Sequence, residues 1–520
     1  MTVLKLNSLG VQNINFDLEP CDLPANTLTY GTNYKLFNGK IKASNMSYTL
    51  ATPSANFKAG LIMPVLGDSG NFYLLIGQSA AWVYNGASWT DVTKTGGYPG
   101  ISTGGELLWT GCLLGSIPVV NNAQDYPNYW SPQQTAQKLQ ALNFKAGQTW
   151  QAHGLSAKVV RSHKNFLFAL NLQQSATVLA TSYRWSHPAD INGLPYTWDE
   201  TDLAAIAGIA SVGGDMGDLV DGMTLRDNFM LYSQRGISSL SYVGGEFVWA
   251  RSVLTTSYGL LAKNCIVESK GYHYFLSDGD ILKTDGNSFV SVLHNQMQTQ
   301  LVNNIDPTYY MNSFAYSNPI TEEIWICVPQ VNHTLPNIAF VINTQDDLVS
   351  MRSIPNTTTG LNFGPNLQVP ILWSNALGGW DENAKNWTYD PTSIFSRTIV
   401  STNNVNSAII SLELDDATTT QNTLLERLSF PLEGQEVVTT TQSVFPHIVS
   451  QAPVMIQLGS QQFVAGPIAW KAPVSFDPNT MRKVDIRTTG KLLSWRIYST
   501  GTLPFTLTGL DIQYVVNGLR

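Results

Sequence analysis

The sequence predicts an all-β protein: a β-propeller of six or seven blades with an additional β-platform built from the N- and C-terminal segments. Three observations support this prediction. Helical periodicity is nearly absent, apolar residues occur in short runs separated by Gly, Asn, Asp and Pro, and one strand-turn-strand pattern recurs along the 520 residues. Many short strands with evenly spaced turn signals are typical of sandwiches, barrels and propellers. A sandwich of similar strands is the competing fold.

The repeat is clearest in the segment 271–292, GYHYFLSDGDILKTDGNSFVSV. The segment 71–92, NFYLLIGQSAAWVYNGASWTDV, aligns with it without a gap, and the segment 229–250 aligns with a two-residue insertion. The copies that start near Phe229 and Tyr274 are about 45 residues apart, a typical length for a four-stranded blade. Such a sheet cannot bury both faces alone, so the copies are expected to stack radially. Looser copies begin near Leu113, Phe166, Ile324 and Phe395.

The repeat divides the chain into three parts. Residues 1–50 are predicted to be the N-terminal segment of the platform, residues 51–433 the propeller with loop insertions, and residues 434–520 a C-terminal β-domain. Alternating apolar residues near the end of the chain, such as Leu493, Trp495 and Ile497, indicate antiparallel strands. A short helix is expected in only two places, 129–144 and 200–212.

The Asp-Gly pairs of the clearest repeat, Asp278-Gly279 and Asp285-Gly286, raise the question of a cation or phosphate site. A calcium loop needs alternating oxygen ligands and a distal Glu, whereas Ile281 and Leu282 follow the first pair almost at once. A phosphate loop runs into a helix, and a strand follows in this chain. Asp-Gly between apolar strands is a strong hairpin signal, so both pairs are interpreted as turns.

Charge is sparse and unevenly distributed. Charged residues make up 13% of the chain, and the net charge is −8. Between Thr284 and Trp470 there are 15 acidic and four basic residues. No cluster of Lys and Arg of the kind that holds phosphate is visible in the sequence, and an acidic surface repels nucleic acid. A surface covered largely by uncharged polar residues suits a protein that works inside an assembly, although secreted β-proteins share it.

The N-terminus MTVLKLNSLG lacks the apolar core of a signal peptide, and the longest apolar tract, 107–120, is too short to span a bilayer. A soluble protein is therefore expected. The four cysteines, Cys21, Cys112, Cys265 and Cys327, have no metal or redox spacing, and reduced thiols are the simplest interpretation.

No catalytic, cofactor-binding or metal site is predicted, and no cofactor is expected. Adjacent carboxylates occur, but neighbouring side chains on a strand point to opposite faces, and in loops such pairs are usually solvated. These pairs are Glu322-Glu323, Asp346-Asp347, Asp381-Glu382 and Asp415-Asp416. The seven histidines show no metal spacing. His187 lies in an aromatic-rich loop, 184–198, that is interpreted as a blade connection held by Trp185 and Trp198 rather than as a sugar site.

Propeller enzymes are the catalytic alternative. The turns DGNSF and NGASW resemble the Asp-box turns of sialidases, but Lys283 and Val83 replace the upstream Ser of that motif. The twelve arginines form no recognisable triad for a substrate carboxylate. A glycan-binding or glycan-cleaving propeller and a plain propeller interaction module both remain open on the residues alone.

The chain also resembles the tail hub, or nozzle, proteins of short-tailed bacteriophages, which are also described as packaged-DNA stabilisation proteins. The opening GVQNINFDLEPCDLPANTLTYGTNYKLFNGKI is similar to the family's N-terminal pattern. Landmarks in the middle include WVYNGASWTDVT, VVNNAQDYPNYWS, RWSHPADINGLPYTWDE and TTSYGLLAKNCIVESKGYHYFLSDG. The ending RKVDIRTTGKLLSWRIYST with FTLTGLDIQYVVNGLR resembles the family's closing β-segment. The resemblance is weakest over 360–406 and 435–471.

The resemblance implies a structural virion protein of the tail that is assembled in the host cytoplasm. Six copies would form a ring below the portal and adaptor proteins, extend the DNA channel, anchor tail fibres or spikes, and retain the packaged genome until ejection. The family supplies no catalytic residues. The acidic stretch 284–470 is expected to line the channel close to double-stranded DNA and to repel it.

Overall fold

Seven four-stranded antiparallel sheets form a closed ring in the described part of this protein. The computed structural model describes residues 2–53, 58–67, 70–98, 105–132, 137–190, 193–245, 247–318, 321–361, 399–402, 408–412, 420–499, 501 and 503–519. Within these residues the seven sheets succeed one another along the chain as blades 1 to 7. The first strands of consecutive blades contact each other, and the first strand of blade 7 contacts that of blade 1. The protein is a seven-bladed β-propeller, and the predicted fold class is confirmed.

The strands of the first four blades pair in the order in which they follow one another along the chain. Blade 1 contains Ala59–Gly67, Gly70–Gly77, Ala81–Tyr84 and Trp89–Asp91. Blade 2 contains Trp109–Leu114, Ile117–Asn122, Asn128–Tyr129 and Gln140–Ala141. Blade 3 contains Leu155–His163, Phe166–Gln174, Thr177–Trp185 and Gly208–Ser211. Blade 4 contains Leu219–Leu225, Asn228–Ser233, Ile237–Tyr242 and Trp249–Thr255.

Blades 5 and 6 keep this order, and blade 7 departs from it only in its last strand. Blade 5 contains Ile266–Ser269, Tyr272–Ser277, Asp280–Thr284 and Phe289–Ser291. Blade 6 contains Phe314–Asn318, Glu323–Val328, Ile338–Asn343 and Leu348–Ser353. Blade 7 contains Thr357–Gly360, Ile399–Thr402, Ile409–Ser411 and Tyr48–Ala51.

A few short elements connect the blades. A small hairpin, Asn143–Lys145 with Gln148–Thr149, lies between blades 2 and 3 in the chain. The helix Gln298–Asn304 lies between blades 5 and 6. Short 3-10 turns occur at Pro20–Asp22, Gln151–His153, Gly214–Met216 and Tyr310–Asn312.

The second strands of the blades are almost continuous apolar runs because both of their faces are buried. In blade 1, Leu74 and Ile76 belong to the core shared with blade 2, whereas Tyr73 and Leu75 belong to the core shared with blade 7. Successive side chains of a strand point to opposite faces, so a strand buried on both sides loses the usual polar alternation. The predicted repeats begin at or near these second strands, which makes the second strand the detectable part of each blade.

Blade 7 is closed by a strand from the N-terminal part of the chain. Its outermost strand, Tyr48–Ala51, pairs with Ile409–Ser411 in the register Ile409–Ala51 and Ser411–Tyr48. The predicted division at residues 50 and 51 therefore falls inside a strand of the propeller. The ring is completed by joining residues that are far apart in sequence.

The platform is a sandwich of two six-stranded sheets that use both ends of the chain. The first platform sheet contains Tyr34–Phe37, Lys40–Ala43, Phe505–Leu519, Val437–Ser450 and Thr488–Gly490, with Thr2–Asn7 paired to Phe505–Leu519. The second platform sheet contains Tyr30–Thr32, Leu424–Pro431, Leu492–Ser499, Val454–Gln461 and Ala469–Trp470, with Val474–Phe476 paired to Val454–Gln461. The strand Leu424–Pro431 lies in the platform, ahead of the division predicted at residue 434.

The two platform sheets enclose one core. Residues from the N-terminal segment, such as Ile14, Tyr34 and Ile41, pack with Trp495 and Ile512 from the C-terminal segment, and all five are buried. Because apolar burial drives association of the sheets, neither end of the chain can complete this core without the other.

The platform is attached to blade 6. The backbone N–H of Val349 donates to Asn13 Oδ1 (2.7 Å), and the Tyr34 hydroxyl donates to the Val349 carbonyl (3.3 Å). The backbone N–H groups of Gln298 and Thr299 donate to the carboxylate of Asp17 (3.1 Å each), which satisfies two donors at the start of the helix Gln298–Asn304. The segment that opens the chain therefore both builds the platform and fixes it to the propeller.

The two short helices expected from the sequence are wrong within the described residues. The segment 129–144 contributes to strands Asn128–Tyr129, Gln140–Ala141 and Asn143–Lys145, and the segment 200–212 ends in strand Gly208–Ser211. At Gln140, Ala141 and Ala210, pairing with a neighbouring strand outweighs the high helix propensity of Ala and Gln.

Candidate functional site

A buried polar network joins the first strands of several blades at the axis of the propeller. Arg161, on the first strand of blade 3, donates from Nε and one terminal nitrogen to both carboxylate oxygens of Asp221 on the first strand of blade 4 (2.7 Å each). Arg161 also donates to the Gly111 carbonyl of blade 2 (2.8 Å) and to Asn264 Oδ1 (2.7 Å). Asp221 is 2% exposed, so the pair is shielded from water.

Asn264 extends this network across the ring. It precedes the first strand of blade 5, its backbone N–H donates to Asp221 Oδ2 (2.7 Å), and its side-chain amide donates to the Trp109 carbonyl of blade 2 (3.3 Å). Blades 2 and 5 are as far apart as two blades of a seven-membered ring can be. This contact crosses the propeller axis, so the central channel of the propeller is blocked at this level.

A polar cleft lies beside the first strands of blades 3 and 4 and the segment that leads into blade 5. It has a volume of about 380 Å³ and is lined by side chains that include Lys158, Lys263, Glu106, Asp218 and Asp278. Lys263 donates to Glu106 Oε1 (3.0 Å), which links the approaches to blades 5 and 2. Burial lowers the pKa of Lys263, although Glu106 counteracts this effect. The cleft can hold a small polar group, but its described lining contains no Ser or Cys nucleophile.

Two buried histidines join blades 3, 4 and 5 at Thr224. His163 Nδ1 lies 2.9 Å from Thr224 Oγ1, and His273 Nε2 lies 2.8 Å from the Thr224 carbonyl oxygen. His273 Nδ1 lies 2.8 Å from the Tyr232 hydroxyl. Burial lowers the pKa of each histidine to about 4. Both side chains are therefore neutral at pH 7 and serve as hydrogen-bonding bridges between blades.

The two Asp-Gly pairs lie at turns, as predicted. Asp278-Gly279 is the two-residue connection of a hairpin in which Ser277 pairs with Asp280. Asp285 Oδ1 accepts hydrogen bonds from the backbone N–H groups of Asn287 (2.9 Å) and Ser288 (2.8 Å). These bonds, led by that from Ser288, lower the pKa of Asp285 to about 2. The carboxylate of Asp285 therefore stabilises its own turn through these hydrogen bonds.

Blade 1 repeats this turn with an amide in place of the carboxylate. Asn85 Oδ1 accepts from the backbone N–H groups of Ala87 (3.0 Å) and Ser88 (2.8 Å). Gly86 and Gly286 have the same φ of 95°, which favours glycine. The gap-free alignment of segments 71–92 and 271–292 therefore places the Asn85 turn on the Asp285 turn, and the two turns have the same hydrogen bonds. Since an amide does the same work as Asp285, the turn requires an oxygen acceptor and not a charge.

Three of the adjacent carboxylates that the sequence raised as candidates, Glu322, Glu323 and Asp347, form ion pairs. Glu323 is buried and accepts two hydrogen bonds from Arg352 (3.0 and 2.5 Å), whereas Glu322 binds Lys270 (2.7 Å). Burial alone would raise the pKa of Glu323, but the Arg352 guanidinium outweighs it and holds the pKa below its usual value. Asp347 pairs with Lys283 (3.1 Å). Asp381-Glu382 and Asp415-Asp416 lie outside the described residues.

The loop around His187 is a connection between the last two strands of blade 3, and it is held as predicted. Trp185 donates from its indole nitrogen to the Ile206 carbonyl (2.7 Å), and Trp198 is buried against Trp150 with ring centroids 4.9 Å apart. His187 packs against Tyr196 (4.5 Å between centroids), and its Nδ1 accepts from the Ile206 backbone N–H (3.3 Å). The side chain of His187 therefore stabilises the loop through this ring contact and this hydrogen bond.

The acidic stretch 284–470 does not form one continuous face among the described residues. Its carboxylates are divided among blades 5 and 6 and the platform, and most of them have partners. The ion-paired ones are Glu322, Glu323, Asp347, Glu426 and Glu436, with Lys270, Arg352, Lys283, Arg496 and Lys491. Asp306 accepts from the backbone N–H groups of Thr308 and Asn332 instead. An acidic channel lining built on this stretch gains no support from their placement.

All four cysteines are free thiols, and Cys265 and Cys327 are buried. Among the described residues, no group of three or more His, Cys, Asp or Glu side chains is arranged to hold a metal ion. No helix in that part of the chain is both long enough and apolar enough to cross a membrane.

Sequence reasoning missed the axial network entirely. Arg161 and Asp221 are 60 residues apart, and Arg161 and Asn264 are 103 apart, so no short motif connects them. The available signal was weak: each is a polar residue in or beside a strand whose neighbours are apolar, as in AKVVRSH.

No family model and no curated protein matches this chain. Solved structures similar to it include PorZ of Porphyromonas gingivalis, described as an essential bacterial surface component of the type-IX secretion system (10% identity, TM-score 0.35). The match covers 83% of this chain and 46% of PorZ, so the chain spans less than half the length of that protein. Another is the Pan2 WD40 domain of Neurospora crassa (7% identity, TM-score 0.38), with 72% of this chain and 96% of that domain covered. At these values the likenesses say nothing about activity or partners.

Proposed function

We propose that the protein is a structural component of a bacteriophage tail, a nozzle or hub whose copies form a ring around the path of the DNA. The observation that carries this proposal is the way the two chain ends are used. The segments that resemble the ends of short-tailed phage nozzle proteins fold together into one platform, and the first of them fixes that platform to the propeller. A propeller subunit of this type is what the resemblance implies.

The closed propeller axis defines where DNA would pass. The contact between Asn264 and Trp109 spans the ring, so a duplex cannot thread through a single subunit. The channel of the proposed nozzle therefore lies between copies, with the plugged propellers acting as its rigid walls.

The chemistry of the described residues suits a scaffold. Buried guanidinium groups of the propeller are paired with carboxylates: Arg161–Asp221 joins the first strands of blades 3 and 4, and Arg352–Glu323 joins the fourth and second strands of blade 6. In the proposed tail, the platform faces the portal and adaptor proteins, and the assembly carries fibres or spikes and retains the genome.

Negative-stain imaging of the purified chain beside intact particles tests the proposal. We expect rings with a central hole in the purified sample and the same chain in purified virions, detected by mass spectrometry. A compact monomer that is absent from particles, or one that cleaves model glycosides, would overturn the proposed function.

A further inference from the structure

One side of the first platform sheet carries more cations than carboxylates, although the whole chain has a net charge of −8. The sheet's inner side carries the buried pair Ile41–Leu507, so the adjacent pair Lys42–Thr506 points outward. Side chains that share this outward side include the cations Lys5, Lys40, Lys42 and Lys483. Against them stand the carboxylates Asp485 and Asp511, which contact Lys483 (3.0 Å) and His447 (3.4 Å). We call this surface the basic sheet face.

The basic sheet face also exposes apolar side chains. Val449 is 74% exposed, Val3 44% and Phe37 42%. A large positively charged and partly apolar sheet surface is unusual for a free solvated face. Its chemistry fits a protein partner that offers both carboxylates and apolar side chains, and it fits a nucleic acid less well because phosphate gains nothing from Val449 or Phe37.

The chain itself carries a surface of that complementary kind. Between residues 186 and 225 there are seven acidic residues and no Lys or Arg. Three of the seven are neutralised by ion pairs: Asp199 with Lys145, Glu200 with Arg184 and Asp221 with Arg161. Asp190 and Asp202 form no ion pair with any described residue and lie in the loop 186–207 of blade 3. We call this segment the acidic loop.

The acidic loop presents apolar side chains beside its carboxylates. Leu203, next to Asp202, is fully exposed, and Tyr196 is 48% exposed. The base of the loop is rigid because Trp185, Trp198 and His187 hold it. A loop with a firmly held base, exposed Leu and Tyr side chains and two carboxylates outside any ion pair among the described residues is suited to contact with a basic and apolar surface.

We infer that the acidic loop of one copy docks on the basic sheet face of the next copy, and that this contact joins the subunits of the ring. The inference rests on the proposed function, which requires a ring. The two surfaces differ and belong to different parts of the fold, so the contact is head-to-tail, and head-to-tail contacts close into rings when their rotation permits. Opposite charge fixes the orientation of the contact, and the apolar side chains supply its buried area.

Reciprocal charge reversal tests the contact. The face variant carries Lys5→Glu and Lys42→Glu, and the loop variant carries Asp190→Lys and Asp202→Lys. We expect each variant alone to lose rings and to run as a monomer in light scattering coupled to size exclusion, with its thermal unfolding close to that of the wild type. The control Lys58→Glu with Arg226→Glu makes the same charge change at exposed propeller sites and should leave rings intact.

An equimolar mixture of the two variants gives the decisive result. The unchanged acidic loop of the face variant can bind the unchanged basic sheet face of the loop variant. The loop variant's loop, now positive, can bind the face variant's sheet face, now negative. Rings of alternating subunits should therefore form again. Rings that persist in both single variants would overturn this contact while leaving the proposed function standing. Monomers in every sample, including the wild type at high concentration, together with absence from particles, would overturn both.

Discussion

The propeller and the platform consist of the same kind of short antiparallel strand, but their strands find partners over very different distances. Blade 5 is complete within residues 266–291. In the platform, Thr2–Asn7 pairs with Phe505–Leu519, almost the whole chain away. Local pairing leaves turn signals in the sequence, whereas distant pairing leaves only alternating strands whose partners are unspecified.

The two regions also place their charge differently. The propeller buries charge at its centre, where Arg161 and Asp221 join three blades to the approach of a fourth. The platform keeps an apolar core and displays cations on the basic sheet face. The propeller therefore balances its buried guanidinium with a carboxylate, whereas the platform's buried Arg427 donates to the backbone carbonyls of Pro20 and Leu23. Three changes sharpen this contrast.

The largest effect is expected for Asp221→Ala. The change leaves the Arg161 guanidinium buried without its carboxylate, and breaking a buried pair from one side costs about 3–5 kcal/mol. The propeller transition in urea, followed by tryptophan fluorescence, should shift to lower denaturant accordingly. The control is Asp511→Ala on the basic sheet face, where only the 3.4 Å contact with His447 is lost, and it should cost about 1 kcal/mol or less. Equal losses for the two variants would contradict the contrast.

The second effect concerns acid. His163 and His273 have folded-state pKa values of about 4, whereas a histidine in the unfolded chain titrates near 6.5, roughly as in model peptides. The unfolded state therefore binds more protons between these values, so the stability that the neutral histidines confer is complete above about pH 6.5 and is lost as the pH falls toward 4. Urea unfolding at pH 7.5 and pH 5 measures this as a stability loss on the order of a few kcal/mol for the propeller.

His273→Gln should reduce that pH dependence, because glutamine keeps a hydrogen-bonding side chain at the position but does not titrate. His333→Gln, at an exposed position, is the matched control and should leave the dependence unchanged. If the His273 variant and the wild type lose the same stability on acidification, the assignment to the buried histidines is wrong.

The smallest effect tests whether blades 1 and 5 are equivalent. Gly286→Ala and Gly86→Ala each place a Cβ at φ 95°, and each should cost about 1 kcal/mol because L-residues are strained there. Thermal unfolding measures both. Asn287→Ala lies in the same turn and contributes only its backbone N–H to Asp285, so it should stay within about 0.5 kcal/mol of the wild type. If the two Gly→Ala variants lose different amounts of stability, the turns of blades 1 and 5 are not equivalent.

The sequence allowed prediction of the propeller because each blade is a run of neighbouring hairpins. Asp278-Gly279 and the Asn85 and Asp285 turns are encoded locally, and their geometry follows from Gly at positive φ and an oxygen acceptor at the turn's first position. The first strand of each blade was harder to recognise because it pairs only with the strand that follows it and packs around the axis. The closing strand Tyr48–Ala51 was placed at the edge of the N-terminal segment because nothing local links it to Ile409–Ser411.

The surfaces and the axial network could not be predicted for the same physical reason. Lys5 and Lys42 come from separate strands, and the pairing of Phe505–Leu519 with both strands brings them to one side of a sheet. The excess of acidic residues in the sequence lies at 284–470, but most of the described carboxylates there are bound by Lys or Arg side chains or by other hydrogen-bond donors. The net charge of a sequence segment does not give the charge of the surface that it forms, because its charged side chains pair with residues of other segments.

The closing strand of blade 7 has a consequence for how the protein is made. Tyr48–Ala51 leaves the ribosome about 360 residues before Ile409–Ser411 is available to pair with it. At translation speeds of about 5–20 residues per second, that interval is about 20–70 s. During this time the strand has an unpaired edge that invites association with other chains. The platform is completed later still, since Phe505–Leu519 is synthesised after every other strand described. Ring closure and platform assembly are therefore late events in synthesis, and a chain truncated ahead of Phe505–Leu519 cannot complete the platform.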